Sequence, residues 1–194
     1  MALTGLLLAG GHSSRMGVDK ALLEFEGEPL ARRVARALDA VCDEVLVASG
    51  DGRRLDWLEL EQVPDVLEDA GPMAGMVAGL ERARHPLVAV AAVDMPHASP
   101  AVFALLARLR EGQAAVVPET LEGLQPLHAV YATTAAAVLR DALERGERSV
   151  RLALETLDVR VVPPAEWEAA DPTGSFADNI NRPQDLPPMI PPQE

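Results

Sequence analysis

Short apolar segments of strand type alternate with segments of helical period along most of this 194-residue chain. Four apolar runs are typical of buried parallel strands: Gly5–Leu8, Glu44–Ser49, Val63–Glu68 and Pro86–Val93. Between them, apolar residues recur at helical spacing: Leu30, Val34, Leu38 and Val41, then Met73, Met76, Val77 and Leu80, then Val102, Leu105, Leu106 and Leu109. This alternation predicts βαβ crossovers and a doubly wound α/β fold, with a mostly parallel sheet and helices on both faces.

The second half of the chain departs from strict alternation. Two further strands are predicted at Ala114–Pro118 and Leu127–Tyr131. They are followed by helical segments through Ala135, Val138, Leu139 and Ala142, and through Val150, Leu154 and Leu157. A last strand is predicted at Val159–Pro163, with an antiparallel position at the sheet edge as one option. The sheet is therefore expected to have a mixed edge.

One domain is expected over residues 1–186, followed by a proline-rich tail over 187–194. With 194 residues, 48% of them hydrophobic, the chain can bury the core of a single domain. The tail has four prolines in eight residues, a composition that predicts extended or poorly ordered backbone.

The charge balance excludes several classes of partner. The formal net charge of -13 argues against binding to DNA, RNA or anionic membranes, since such binding needs clustered Lys and Arg.

Cys42 is the only cysteine, which excludes a disulfide framework and a cysteine-based metal site. The amino-terminal apolar stretch has no preceding basic region and is too short to span a bilayer. A cytoplasmic protein is expected.

The segment LLLAGGHSSRMGVDKALL, residues 6–23, places a glycine-rich loop directly after the first strand. Such turns bind phosphate because their N–H groups converge and no side chain blocks the approach. The two commonest phosphate fingerprints are absent, since Met16 and Ala21 break the P-loop pattern and His12 replaces the second glycine of G-x-G-x-x-G. Arg15 and Lys20 could follow a triphosphate along its length, but a solvated loop has the same composition.

Asp94 follows an apolar strand, so its carboxylate should lie at the carboxyl edge of the sheet, where ligands bind in α/β proteins. A hard oxygen ligand there suits Mg²⁺ shared with phosphates, although an Asp before Met95 and Pro96 could equally form a turn. Gly71 and Pro72 are typical of a helix start. Asn179 and Asn181 precede a proline and could cap a short final helix.

The motifs together resemble a known family. LAGGHSSRMGVDKALL is similar to the L-A-G-G-x-S-x-R-M-G-x-D-K signature of molybdenum cofactor guanylyltransferases, which belong to the Rossmann-like nucleotidyltransferases. The resemblance continues through nearly the whole chain, in EDAGPMAG (68–75), AVDMP (92–96), LQPLHAVY (124–131), GERSVRLALE (146–155) and DNINRPQDL (178–186). The double glycine, with DKALL and GPMAG, favours the guanylyl branch over the cytidylyl branch.

The resemblance implies transfer of GMP from GTP to molybdopterin carrying molybdenum, with release of pyrophosphate and with Mg²⁺ as cofactor. It implies a catalytic role for Arg15, Lys20 and Asp94, with Asp94 as the metal ligand. The nucleotide-binding residues that it implies are Leu8, Ala9, Gly10, Gly11, Lys20, Asp69, Gly71, Gly75 and Asp94. It also implies transient contact with other proteins that handle the molybdenum cofactor.

Several further positions follow from the same resemblance. Asn181 is expected to contact phosphate or the metal, and Ser13 and Ser14 could add hydroxyl contacts. Arg148, Arg151 and Arg182 are candidates for binding an anionic pterin, although surface arginines would look the same. Ala48 and Ser49 stand where many relatives have Asn, which leaves a ribose or base contact unassigned.

Two alternatives stay open at this stage. One is a cytidylyltransferase or another sugar or alcohol phosphate nucleotidyltransferase of the same fold. The other is a protein that binds GTP or a pterin without catalysis. The presence of both Lys20 and Asp94 favours an enzyme.

Overall fold

A computed structural model describes residues 2–10, 19–181 and 185. Its strands are β1 (Leu3–Leu8), β2 (Glu24–Phe25), β3 (Glu28–Pro29), β4 (Glu44–Ala48), β5 (Glu61–Val63), β6 (Leu87–Ala92), β7 (Ala115–Thr120), β8 (Gly123–Leu124), β9 (His128–Ala132) and β10 (Val159–Val162). Its α-helices are α1 (Leu30–Asp39), α2 (Pro72–Arg82), α3 (Pro100–Leu109), α4 (Ala135–Glu144), α5 (Val150–Leu154) and α6 (Pro164–Trp167), and 3₁₀ turns span Lys20–Leu22, Asp56–Leu58 and Ser175–Ala177.

The main sheet has the strand order β10-β7-β9-β6-β1-β4-β5, with β8 paired to β7. From β1 the chain passes through α1 to β4 on one side, whereas from β6 it passes through α3 to β7 on the other. The parallel neighbours β1 and β6 therefore flank the topological switch point, where ligands bind in open α/β sheets.

The helices cover both faces of this sheet, which confirms the doubly wound fold. On one face, α1 and α3 pack against side chains such as Leu7, Val47 and Ala91. On the other face, α2, α4 and α5 pack against Leu6 and Val90. Because both faces are covered, every residue of β1 and of β6 is buried, as their continuous apolar sequences predict.

Two details of the predicted strands were wrong. The strand predicted at Val63–Glu68 occupies Glu61–Val63 instead, and Pro64, which has no N–H to donate to a ladder, forms an isolated bridge with Asp51. The last strand, β10, does lie at the sheet edge, but it runs parallel to β7. The sheet is mixed because β9 is inserted antiparallel between β6 and β7.

No helix among the described residues is long and apolar enough to span a membrane. The predicted tail over 187–194 lies outside the described residues. Cys42 is half-buried beside Gly5, and burial raises the pKa of its thiol to about 12.

His128, at the start of β9, is fully buried beneath α3. Its ring stacks on Phe103 with centroids 3.9 Å apart and an interplanar angle of 10°. Its Nε2 accepts a hydrogen bond of 3.0 Å from the backbone N–H of Ser99, the N-cap residue of α3, which leaves the proton of the neutral ring on Nδ1. No hydrogen-bond partner is found for Nδ1 among the described residues. Burial lowers the pKa of His128 to about 3.

This histidine is expected to make the fold acid-sensitive. The unfolded chain takes up a proton near the ordinary pKa of about 6.5, whereas the folded chain does not until about pH 3, so stability is lost as pH falls between these values. For this one group the slope approaches about 1.4 kcal/mol per pH unit. Denaturant unfolding at pH 7, 6 and 5 should show a steeper loss of stability with falling pH in the wild type than in His128→Gln, with the difference between the two slopes approaching that value at the lower pH. Equal slopes in the two proteins would contradict the assignment.

Candidate active site

The candidate site lies where β1 and β6 end side by side. The carbonyl of Leu8 accepts a hydrogen bond of 2.9 Å from the N–H of Val93, and the N–H of Ala9 donates to Ala48 at 2.8 Å. These bonds fix the start of the glycine-rich loop against the neighbouring strand ends. The chain then reaches Asp94 one residue after Val93, as the position of this aspartate after an apolar strand predicts.

Three of the predicted residues meet at this edge of the sheet. The ammonium of Lys20 lies 2.8 Å from Oδ2 of Asp94 and 3.3 Å from Oδ1 of Asn181. The segment that contains Asn181 is held here because the N–H of Ile180 donates to the carbonyl of Asp94 at 2.8 Å. Residues far apart in the sequence thus form one cluster, whose ion pair is about four-fifths buried.

Lys20 is the only lysine of the chain. It begins a 3₁₀ turn whose N-cap is Asp19, and Oδ1 of Asp19 accepts a hydrogen bond of 3.0 Å from the N–H of Ala21. Ala21 is fully buried, so the turn is anchored to the core while the lysine side chain extends toward the site.

The donor set of this cluster fits a divalent cation. A carboxylate oxygen of Asp94 and the amide oxygen of Asn181 both contact one positive charge, that of Lys20. Hard oxygen ligands of these two kinds are the ones that Mg²⁺ takes in proteins, usually together with substrate phosphates. The cluster can therefore hold a metal ion and also offer a cation to an anionic ligand.

The amino end of α2 lies next to the start of the loop. Gly71 is the N-cap with φ of 72°, and Pro72 is the first helical residue, as the sequence predicts. A Cβ on Gly71 would meet nothing within 4 Å, whereas one on Gly75 would lie 2.9 Å from Cβ of Ala48. The helix start is thus open on its outer side and tightly packed on its inner side.

Asp65, which the sequence did not single out, lies beside the start of the loop. Its carboxylate lies so close to the loop and to α2 that a Cβ on Gly10 would be 2.8 Å from Oδ2, and one on Gly75 would be 3.1 Å from Oδ1. Oδ1 is buried and finds no hydrogen-bond partner among the described residues. Burial raises the pKa of Asp65, while the charge of Arg54 acts in the opposite direction. This acceptor lacks the partner that buried polar atoms normally have.

Other predicted nucleotide-binding residues are placed less centrally or lie outside the described residues. Leu8 ends β1 at the site, and Ala9 and Gly10 follow it. Asp69 is exposed in the loop before α2, with φ of 53°. The remaining loop predictions are outside the described residues: Gly11, His12, Ser13, Ser14 and Arg15.

The predicted pterin-binding arginines have structural partners. Nη1 of Arg148 donates to the carbonyls of Leu143 and Glu147 at 2.8 and 2.9 Å, near the carboxyl end of α4. Arg151 donates to the carbonyl of Leu124 in β8 at 3.1 Å. Arg182 lies outside the described residues. A role for these residues toward a pterin stays a prediction.

Two flanking polar residues differ in what they contact. Asn179 is exposed, and its Nδ2 donates to the upstream carbonyl of Ala177 at 2.9 Å, which is not the bond of a helix N-cap, so the capping role stays a prediction. Ser49, at the end of β4, is buried, and no hydrogen-bond partner of its Oγ is found among the described residues.

A family model described as the MobA-like NTP transferase domain matches residues 5–161. The chain is 40% identical over 196 residues to a probable molybdenum cofactor guanylyltransferase from Opitutus terrae, covering 95% of this chain and 93% of that protein. It is 35% identical over 192 residues to a protein of the same description from Chloroflexus aggregans, covering 96% and 92%.

Solved structures are also similar to this fold. Molybdopterin-guanine dinucleotide biosynthesis protein A from Archaeoglobus fulgidus superposes with a TM-score of 0.80 and 28% identity, covering 94% of each chain. The 2-C-methyl-D-erythritol 4-phosphate cytidylyltransferase from Thermus thermophilus superposes with a TM-score of 0.67 and 21% identity, covering 93% of this chain and 94% of that one. At this identity the second likeness concerns the fold alone.

Proposed function

The chain belongs to the MobA-like NTP transferase family and is a nucleotidyltransferase, and we propose that it transfers GMP from GTP to molybdopterin carrying molybdenum. The products are the guanine dinucleotide form of the cofactor and pyrophosphate. The observation that carries this proposal is the cluster of Lys20, Asp94 and Asn181 at the switch point, which joins a cation to metal-type oxygen ligands. The names of the full-length relatives support the choice of guanylyl group and acceptor.

The reaction needs little covalent participation by the protein. A terminal phosphate oxygen of the acceptor attacks the α-phosphorus of GTP, and the bond from that phosphorus to the pyrophosphate oxygen breaks. A phosphate monoester has its second pKa near 6, so the nucleophile is already mostly a dianion at neutral pH and no general base is required. The task of the chain is therefore to position the two substrates and to compensate charge.

Each residue of the site has a defined part in this scheme. The segment from Leu8 to Gly10 lies against the nucleotide, with the N–H of Gly10 available to it because that of Ala9 already bonds Ala48, and Lys20 faces the triphosphate. Asp94, with Asn181, would hold the Mg²⁺ that we propose as the divalent cation. When bound, this ion would neutralise charge on the phosphate oxygens. Arg15, which precedes Lys20 in the same loop, would add a second positive charge.

Asp65 supports the choice of guanine. A carboxylate accepts two hydrogen bonds, and guanine presents adjacent N–H donors on one edge, where adenine presents an acceptor. Because Gly10 and Gly75 have no Cβ, the carboxylate of Asp65 can lie against the loop and the start of α2. Its Oδ1 still lacks a hydrogen-bond partner among the described residues. We therefore propose Asp65 as the base-recognising acid, in addition to the prediction for Asp69.

The central experiment measures pyrophosphate release by the purified protein from GTP, Mg²⁺ and molybdenum-loaded molybdopterin. Release that depends on all three, with formation of the guanine dinucleotide, is expected. Release with CTP in place of GTP would favour the cytidylyl alternative. Binding of GTP without any release would favour the non-catalytic alternative.

Nucleotide preference is expected to depend on Asp65. Asp65→Asn replaces one acceptor by a donor, so it should lower GTP affinity by about ten- to a hundredfold and leave ATP affinity nearly unchanged. Titration calorimetry with GTP and ATP measures both values. Asp69→Asn is the matched variant, because it makes the same chemical change at the exposed position. If only Asp69→Asn lost the preference, base recognition would belong to Asp69 instead.

A further inference from the structure

Arg54 contacts both ends of the glycine-rich loop at once. Its guanidinium contacts the carbonyl oxygen of Ala9, which follows β1, and the carboxylate of Asp19, which directly precedes Lys20. Its Nε also donates to the carbonyl of Ser49 at 3.3 Å, at the end of β4. One side chain therefore connects the two ends of the loop with a third segment of the sheet edge.

The backbone that carries Arg54 is itself fixed. Oδ1 of Asp51 accepts hydrogen bonds from the N–H groups of Arg53 at 3.0 Å and Arg54 at 2.8 Å. The next residue, Leu55, is fully buried, and its N–H donates to Oε1 of Gln62 at 3.0 Å. Arg54 thus extends from a hydrogen-bonded turn, and about four-fifths of its side chain is buried.

The contact with Asp19 leads directly to the catalytic cluster. Asp19 uses Oδ2 for Arg54 and Oδ1 to cap the turn that starts at Lys20. Lys20 then reaches Asp94 at 2.8 Å. A displacement of Asp19 would move the start of that turn, and the lysine ammonium with it.

We propose that Arg54 is a positioning residue for the nucleotidyl transfer, which holds the two ends of the loop together and sets the position of Lys20. Only the planar five-donor group of arginine can meet a carboxylate and two carbonyls in different directions. A lysine there could retain the charge toward Asp19 but not all three contacts. The proposal rests on the proposed role of Lys20 in GTP chemistry, so its test includes a measurement that needs no nucleotide.

The test compares Arg54→Met with Arg53→Met. Arg53 is the adjacent, exposed arginine, and its N–H bond to Asp51 is made by the backbone and survives the substitution. Arg54→Met should lower kcat for pyrophosphate release by about tenfold, because Lys20 is no longer held in the geometry that the transition state needs. Arg53→Met should match the wild type, and Arg54→Lys should recover part of the loss. A merely structural role would lower the unfolding temperature and leave kcat of the folded fraction unchanged.

Lys20 itself provides the measurement that is independent of the proposed function. Because it is the only lysine, acylation by an amine reagent followed by peptide mapping reports on this side chain alone. Release from its fixed position should make Lys20 react several-fold faster in Arg54→Met and in Asp19→Asn, which keeps the Oδ1 cap oxygen, but not in Arg53→Met. Unchanged reactivity of Lys20 in both folded variants would overturn the proposal, even if the protein proved to use another nucleotide or acceptor.

A double variant decides whether Arg54 acts through Lys20. If it does, Arg54→Met should lower kcat much less in a Lys20→Ala background than in the wild type. If the two substitutions lowered kcat by fully additive amounts of free energy, Arg54 would not act through Lys20 and the proposal would be overturned.

Discussion

Asp94→Asn is expected to lower kcat by on the order of a thousandfold while the protein remains folded. The amide keeps the shape of the side chain but removes the negative charge that would hold Mg²⁺, and metal stabilisation of transition-state charge is worth several kcal/mol. The ammonium of Lys20 keeps its contact with Oδ1 of Asn181, and about a fifth of each side chain of the ion pair stays exposed, so the variant should remain folded. Steady-state pyrophosphate release and thermal unfolding measure the two effects separately.

Asp178→Asn is the matched control for this prediction. Asp178 is an exposed acid three residues before Asn181, on the segment that ends at the site, and the same substitution there should leave kcat within about twofold of the wild type. Raising the Mg²⁺ concentration should recover part of the activity of Asp94→Asn. Near-normal turnover of Asp94→Asn at ordinary Mg²⁺ concentration would remove Asp94 from the metal site.

Lys20→Ala is expected to lower kcat by about a hundredfold and to weaken GTP binding as well. Negative charge moves onto the departing pyrophosphate during the reaction, so a cation beside the triphosphate is worth more in the transition state, by on the order of 3 kcal/mol. Arg15→Ala should act in the same direction. The double variant should show less than the product of the two losses if both cations serve one phosphate chain.

Lys20→Arg keeps the charge and tests whether the position matters. Because the guanidinium is larger and planar, we expect it to restore GTP binding more fully than kcat. A Lys20→Ala variant with the kcat and KM of the wild type would contradict the interpretation of residues 9–20 as a phosphate loop.

The fold could be predicted from the sequence wherever burial produces a regular spacing of apolar residues. The continuous apolar runs of β1 and β6 and the helical spacing in α1 and α3 require a sheet covered on both faces. Strand direction leaves no such mark, since the antiparallel strand β9 is buried throughout, as the parallel strands β1 and β6 are. An antiparallel direction was therefore considered for the last strand, β10, whereas β9 is the strand that has it.

The candidate site could be predicted only in part. Asp94 could be placed because it follows a buried strand, and its meeting with Lys20 agrees with that expectation. Asp65 lies in an ordinary loop sequence, and only the approach of Gly10 and Gly75 distinguishes it from other acids. Arg54 is likewise one of two consecutive arginines, and the sequence does not tell which of them turns inward.

The contact between Lys20 and Asp94 also determines how the site can accept its ligands. Each charge already has a counter-ion. A divalent metal ion held by Asp94 would take the place of the ammonium beside the carboxylate, and the triphosphate of the substrate would take the place of the carboxylate beside the ammonium. The free energy of loading is then a difference between two sets of paired charges, which avoids much of the cost of stripping water from isolated ones. Either ligand alone would break the pair and leave one member without its partner. Metal and nucleotide should therefore favour each other's entry, as a single exchange of partners.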